Sequence, residues 1–274
     1  MADIFSYEGK RVAIVGCFSG MGEACARELV KLGAEVHGAD IKKSPVEMAS
    51  FTEVDLQDWS SIDRAVAGIG GEIDALFNCA GLPQTFPPAD VLAVNFLGLR
   101  HWTEQWLPKM KKGGAIATIS SLAGMAYLTK LDVLKKVIAI DDRQAFLDWV
   151  AANPQTVGDG YSFSKELLNT WTCLQAVELA PRGVRINATM PSPTQTPMMA
   201  AFEKIAGEVV LDTFTAPTGR RSTPEEQGNP MVLLNSDAAS FISGVCLPVD
   251  GGFHGGVTVG AIDMQALLAR AQAA

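Results

Sequence analysis

The sequence predicts an α/β protein built on a doubly wound parallel sheet, and three observations carry that expectation. Short apolar runs with β-branched residues alternate with longer segments whose apolar positions recur three and four apart. The runs are apolar throughout, as strands buried on both faces are. Parallel neighbours need a crossover, and the segments between runs are long enough to supply helices. With 274 residues, 48% hydrophobic and 19% charged, the chain is expected to fold as one domain over 1–274.

In order, RVAIVG at 11–16 reads as a strand and 21–33 as a helix, followed by a strand AEVHGAD at 34–40. A third apolar run ends before Asp55-Leu56, helix 59–69 leads to the strand IDALFNCAG at 73–81, and helix 95–112 leads to GAIATIS at 114–120. Helix 162–181 precedes the strand GVRINATM at 183–190. Two stretches break this rhythm. Residues 125–156 look like two short amphipathic helices split near Asp141 and Asp142, inserted between a strand and the next helix. Residues 192–222 are rich in Pro, Thr and Met, with a short helical pattern over 198–211. Segments over the carboxyl edge of a parallel sheet often form lids, because ligands bind there; the bland alternative is surface decoration.

Composition excludes several classes. The 22 Lys+Arg against 30 Asp+Glu give a net charge of −8, scattered without a run, which argues against nucleic-acid binding. No apolar stretch approaches the roughly 18–20 residues that cross a bilayer, and MADIFSYEGKR at the start has no apolar segment ahead of a cleavage site, so a cytoplasmic protein is expected. The five cysteines stand singly, with no CxxC pair and no His at ligand spacing, so neither a disulfide framework nor a metal site is expected.

After the first strand come Gly16, Cys17, Phe18, Ser19, Gly20, Met21 and Gly22, followed at once by a helix. Glycines at such a turn let the backbone reach a pyrophosphate and point helix N-terminal amides at it. The spacing is GxxxGxG, and the same pattern also suits a tight turn without a ligand. Context favours the ligand. Asp40 ends the second strand close to 20 residues beyond the loop, where a carboxylate accepts hydrogen bonds from the adenosine ribose and repels a 2′-phosphate. Lys42 and Lys43 follow and can in principle compensate; NAD is expected over NADP. Asp55 and Leu56 would then sit beside the adenine.

Tyr161 and Lys165 lie four residues apart on one face of a predicted helix. A phenol near its reference pKa of about 10 is a poor base, but a nearby cation stabilises its phenolate and makes it a general acid and base. Alone, the spacing equally suits a solvated Lys beside a packed Tyr.

With loop, acid and YxxxK in one chain, the sequence resembles the short-chain dehydrogenase/reductase family over nearly its whole length. The marks are VGCFSGMG at 15–22, Asp40, Asp55-Leu56, FNCAG at 77–81, VNFLG at 94–98, ISSLAG at 119–124 and YSFSK at 161–165, then INATMPSPTQTPM at 186–198, GRRSTPEE at 219–226 and SFISGVCLPVDGG at 240–252. The resemblance implies a Rossmann-type fold and a hydride-transferring oxidoreductase. Tyr161 would be the proton donor and acceptor, Lys165 would lower its pKa and hold the nicotinamide ribose, and Ser121 would hydrogen-bond the substrate oxygen, with Ser120 its competitor. Asn95 would hold a water in the proton path. Asn78, Ala80 and Gly81 would line the adenosine side, Pro191 and Thr194 would contact the cofactor, and Thr196 would bind its carboxamide. Val15, Cys79 and Ser192 depart from the family pattern without removing a chemical role.

Two lengths narrow the resemblance. Gly81 and Asn95 are 14 positions apart, so a helix of the family should be missing or reduced, while Ser121 and Tyr161 are 40 apart, enclosing the insertion. This combination, with Gly81-Leu82-Pro83-Gln84-Thr85, resembles a branch that includes bacterial 3α-hydroxysteroid dehydrogenase/carbonyl reductase and coniferyl-alcohol dehydrogenases. It implies a small hydrophobic alcohol or ketone, hydroxysteroid-like or a cyclic or terpenoid alcohol, with an aryl or allylic alcohol as the alternative. Ser121, Ala123, Met125, Tyr161, Met198, Met199 and Phe202 would form the substrate pocket, and Tyr127, Leu128, Trp149 and Met190 could extend its wall. An acyl-thioester reductase is disfavoured by Asp40, and a non-catalytic NAD-binding protein by the presence of Asn95, Ser121, Tyr161 and Lys165 together. The insertion is rooted where the family often dimerises, so a homo-oligomer, a homodimer or homotetramer, is expected to use 224–235 and 245–250.

Overall fold

The computed structural model describes residues 3–273; Met1, Ala2 and Ala274, at the ends of the expected domain, lie outside it. Strands β1 Arg11–Val15, β2 Glu35–Asp40, β3 Ser50–Glu53, β4 Ile73–Asn78, β5 Met110–Ile119, β6 Arg185–Pro191 and β7 Cys246–Val249 form one parallel sheet in the order β3-β2-β1-β4-β5-β6-β7. Chain order reverses between β1 and β4, and a crevice opens at such a switch point because the loops beyond the two strands diverge. The inner strands are buried on both faces, as their unbroken apolar runs require.

Helices α1 Gly20–Lys31 and α11 Pro224–Asn235 cover one face, packing on Val12, Ile14, Phe77 and Ala117. The other face carries α2 Trp59–Ile69, a π-helical turn at Ala93–Gly98 that runs into α4 Leu99–Trp106, and α8 Tyr161–Leu179. Between Gly81 and Asn95, where a helix was expected to be missing or reduced, there is only a short α3, Pro88–Leu92. The helix expected over 95–112 stops earlier, at a turn through Pro108, so β5 begins at Met110.

The insertion is a 3₁₀ segment Leu122–Lys130 followed by α5 Leu131–Ile138, α6 Arg143–Ala152 and a turn of helix α7 Pro154–Val157, split at Asp141 and Asp142 as expected. Its apolar side is buried: Phe146 stacks on Phe96 at 5.8 Å and Trp149 on Phe163 at 5.9 Å between ring centroids. Arg100 of α4 holds its middle by donating to the Ile138 carbonyl at 2.8 Å. The second irregular stretch forms α9 Met199–Ala206 and α10 Glu208–Thr213 over the carboxyl edge of the sheet, and the chain ends in α12 Phe253–Thr258 and α13 Met264–Ala273.

Candidate active site

A cavity of about 400 Å³ opens at the carboxyl ends of β1, β4, β5 and β6, under α9 and α10. Its floor on one side is the glycine turn. Gly16 has φ +87°, and a Cβ there would stand 2.2 Å from the Ala80 amide nitrogen; a Cβ on Gly22 would stand 1.9 Å from the Gly16 carbonyl oxygen. Only glycine permits this approach. Ser19, the N-cap of α1, makes no side-chain capping bond, so the first amides of a 12-residue helix are left to face the cavity beside Ser19, Gly20, Met21 and Gly22. At the end of β2, Asp40 accepts the Phe18 amide at 2.9 Å and the Lys42 amide at 3.1 Å, which fixes a carboxylate next to the turn. These features fit a nucleotide: open amides for a diphosphate, and an acid placed for ribose hydroxyls.

Ala80, Gly81, Pro191, Thr194 and Thr196 also line the cavity. Asn78 does not. It is fully buried, and its Nδ2 donates to Thr103 Oγ1 at 2.9 Å and Thr118 Oγ1 at 3.1 Å, because strand alternation turns it toward the helix layer. Asp55 is exposed and accepts the Gln57 amide at 2.8 Å, while Leu56 is buried against Gly98.

The end of β5 and the start of α8 bring Ser120, Ser121, Tyr161 and Lys165 onto the same cavity. Asp159 accepts the Tyr161 amide at 3.0 Å and the Ser162 amide at 3.2 Å, pinning the first turn of α8. Ser120 is buried and donates to the Lys165 carbonyl at 3.2 Å, whereas Ser121 Oγ accepts the Ala123 amide at 3.1 Å and lies half-buried on the cavity, which leaves the Ser121 hydroxyl the freer of the two. Asn95 sits in the π-helical turn. Its Oδ1 accepts the Leu82 amide at 2.6 Å, and its Nδ2 donates to the Leu82 carbonyl at 3.0 Å and Ser164 Oγ at 3.3 Å. Leu82 and Ser164 thus hold that side chain within the protein.

Burial shifts both ionisable groups of the cluster. Burial pushes the Tyr161 phenol up to about 12, opposed by Ser121 and reinforced by Asp159. Burial pulls the Lys165 ammonium down to about 8. Lys165 Nζ lies 5.5 Å from the centre of the Tyr161 ring and donates to the Ile119 carbonyl at 3.0 Å. Burial thus works against the charged form of both groups, and whatever favours the charged lysine also favours the phenolate beside it.

At the other end the wall is apolar: Leu122, Ala123, Met198, Met199 and Phe202, joined by Ala206, Val210, Leu211 and Phe214. The last four were not singled out from sequence, although Met199, Phe202, Ala206 and Val210 repeat at three and four. Gln84 also lines the cavity. Phe202 meets the Tyr161 ring edge-on at 5.0 Å. Met125 is not on this wall and packs with Leu122, Met190 and Phe253 instead. Tyr127, Leu128 and Trp149 are likewise off the cavity: the insertion turns its apolar side to α8, and Leu128 is exposed.

Comparison with known proteins agrees with this geometry. Residues 10–132 match the short chain dehydrogenase family and residues 144–254 the related family described as enoyl-(acyl carrier protein) reductase. The chain is 32% identical to coniferyl-alcohol dehydrogenase of Pseudomonas sp. (strain HR199), over 89% of this chain and 96% of that one. It is 31% identical to 3-alpha-hydroxysteroid dehydrogenase/carbonyl reductase of Comamonas testosteroni, over 88% and 95%. The crystal structure of 3-alpha-hydroxysteroid dehydrogenase from Pseudomonas sp. B-0831 complexed with NADH superimposes with a TM-score of 0.79 at 28% identity, covering 92% of this chain and 100% of that one. A nucleotide cradle, a Ser-Tyr-Lys cluster and full-length relatives that are dehydrogenases and reductases together make this chain an alcohol dehydrogenase/carbonyl reductase of the short-chain dehydrogenase/reductase family.

Proposed function

We propose that the protein interconverts a hydrophobic secondary alcohol and its ketone with NAD as hydride carrier, and that the alcohol is cyclic, hydroxysteroid-like or terpenoid. The observation that carries this reading is the pairing of one polar corner, Ser121 with Tyr161, with an otherwise apolar wall. A single polar corner orients one oxygen, and the apolar wall favours a ligand without further charge. Methionines 198 and 199 adapt to varied shapes. Asp40, fixed beside the glycine turn, supports NAD over NADP, since a 2′-phosphate there meets a like charge.

The geometry supports a role for each residue. The nicotinamide, bound, supplies hydride acceptance and donation. Ser121 holds the substrate oxygen and Tyr161 takes or returns its proton, while Lys165 keeps a positive charge beside the phenol and binds the nicotinamide ribose. Phe202 and the lid helices exclude water from that corner. An aryl or allylic alcohol is the second reading, favoured by the coniferyl-alcohol relative and by the rings of Phe202 and Phe214 on the wall.

The proposed setting is a cytoplasmic homodimer joined through α11 and β7. Two features support it. Phe241 is completely exposed, with Ile242 and Leu233 nearly half so, and the insertion covers the α4 and α8 surface. Among the described residues no helix is long and apolar enough to cross a membrane.

The test is absorbance at 340 nm with NAD, then NADP, across a 3α-hydroxysteroid, terpenols, cyclohexanols and coniferyl alcohol. Turnover of the steroid or cyclic alcohols with NAD supports the proposal. Turnover of coniferyl alcohol alone moves the assignment to the second reading, and silence on every alcohol overturns both.

A further inference from the structure

The lid is tied to the sheet by a side chain that the reaction does not use. Ser222 is stitched to the strand-end loop: Gln195 donates its amide to the Ser222 carbonyl at 2.9 Å, Ser222 donates its own to the Pro193 carbonyl at 3.1 Å, and Thr194 Oγ1 and Ser222 Oγ share a bond of 2.9 Å. From this fixed point the neighbouring Arg221, whose side chain is 15% exposed, reaches into the lid. Its Nε donates to Asp212 Oδ1 of α10 at 2.7 Å, and its Nη1 donates to Glu203 Oε1 of α9. Nη2 is buried without a hydrogen-bond partner, 3.8 Å from Glu208 Oε1 at the start of α10.

Three carboxylates from two helices thus converge on one guanidinium, with two contacts made and one open. The helices are short, eight and six residues, and meet at Gly207 with φ +80°. Pieces of this length do not hold their place by helical propensity. A planar fork with fixed donor directions sets their angle, which a lysine's single ammonium does not. The setting is transmitted over one residue, because Glu203 follows Phe202, whose ring abuts Tyr161.

We propose that Arg221 is a positioning residue that sets the substrate lid, fixing the affinity for bulky apolar alcohols, and that its open contact with Glu208 closes when the cavity is filled. This rests on the reading of the cavity as the substrate site.

The experiment compares wild type with Arg221→Met, Arg221→Lys and Glu208→Gln, using a fused-ring alcohol and a simple cyclohexanol, alongside limited chymotryptic digestion with and without the fused-ring alcohol. In Arg221→Met the KM for the fused-ring alcohol should rise about tenfold, with kcat and the cyclohexanol KM each changing less than about threefold. Cleavage after Phe202, Leu211 or Phe214 should quicken by about tenfold or more, since a released lid opens more often. Arg221→Lys should restore less than half of either effect. Glu208→Gln should leave resting cleavage unchanged and abolish the protection given by the fused-ring alcohol. Equal KM changes for both alcohols, or digestion no faster than wild type, overturns the proposal. Should Arg221→Met unfold, Asp212→Asn and Glu203→Gln, each removing one contact, carry the same comparison. Were wild type silent on every alcohol, the functional reading fails while the digestion still decides the latch.

Discussion

Replacing Lys165 with methionine is expected to make the fold more stable while removing turnover. Lys165 is 3% exposed, and burial lowers its pKa from 10.5 to about 8. The unfolded chain then binds the extra proton, so wild-type stability is held down below pH 8 and rises as pH climbs from about 8 toward 10.5. At 1.36 kcal/mol per tenfold change in proton affinity, the buried charge costs the fold about 3 kcal/mol at pH 7. Methionine also forfeits the bond to the Ile119 carbonyl, 3.0 Å long, which takes back about 1 kcal/mol. The net gain is about 2 kcal/mol at pH 7, a rise in Tm of roughly 4 °C for a chain of this size. By pH 9.5 the gain should shrink to about zero, because the folded lysine is by then neutral and the remaining cost of removing its proton, about 1.4 kcal/mol one pH unit below 10.5, is nearly matched by the lost hydrogen bond. Tyr161, raised from 10.0 to about 12, loses stability only above pH 10 and does so in both proteins. Urea unfolding followed by tryptophan fluorescence at pH 7 and 9.5 reads the difference directly. A variant no more stable than wild type at pH 7, or a gap that does not close by pH 9.5, refutes the claim that the lysine charge is held against desolvation. Turnover in the same variant should fall about a thousandfold.

Tyr161→Phe should lower kcat about a thousandfold with NADH affinity, read by fluorescence, unchanged. Gly22→Ala places a Cβ 1.9 Å from the Gly16 carbonyl oxygen, backbone against backbone, so nucleotide affinity should drop at least about a hundredfold and Tm should fall; calorimetry checks both. Asp40→Ser removes the carboxylate that meets a 2′-phosphate and should shift the NAD to NADP ratio of kcat/KM by about a hundredfold toward NADP. Light scattering at micromolar concentration should show a dimer for wild type and a monomer for Phe241→Asp, since a charge on that exposed ring position opposes burial.

Much of the fold was legible because buried parallel strands and amphipathic helices leave different periods in the sequence, and β1, β2, β4 and β6 fall where the apolar runs lie. The boundary at 110–114 was missed for a local reason: Lys111, Lys112 and two glycines interrupt the apolar run of β5, yet the strand continues through them with Gly113 at φ +88°. In the site, the glycine turn, Asp40, Ser121, Tyr161 and Lys165 were legible because each chemistry needs a residue type at a fixed place. Side-chain direction was not. Asn78 and Met125 stand in the right segments and face the other way, and composition gives no sign of which way a residue beside a 3₁₀ turn will point. The lid wall at Val210, Leu211 and Phe214 was hidden by Gly207, which breaks a single helical pattern into two helices at an angle. The shifted ionisation of Tyr161 and Lys165 was also beyond spacing alone, since it depends on how deeply each is buried.

The insertion illustrates how one segment answers two needs. A helix that begins at the tyrosine proposed to move the proton needs a firm first turn, and an apolar helix face needs cover. In this chain both come from the same polypeptide. Lys130, ending the 3₁₀ segment, pairs with Glu166 at 2.8 Å, and Glu166 is 2% exposed and adjacent to Lys165. The Asn169 Nδ2 donates to the Gly124 carbonyl at 3.0 Å, and a Cβ on Gly124 would stand 2.7 Å from the Lys165 carbonyl carbon, so the segment lies directly on the helix backbone. Further along, Phe146 and Val150 bury with Phe96, Phe163 and Leu167. Each such side chain contributes on the order of 1.5–3 kcal/mol by leaving water. A second subunit docking on this face would have to displace that cover first. The support of Tyr161 and Lys165 is therefore internal to the subunit, and the proposed dimer, diluted to monomer, should keep their geometry and the nucleotide cradle intact.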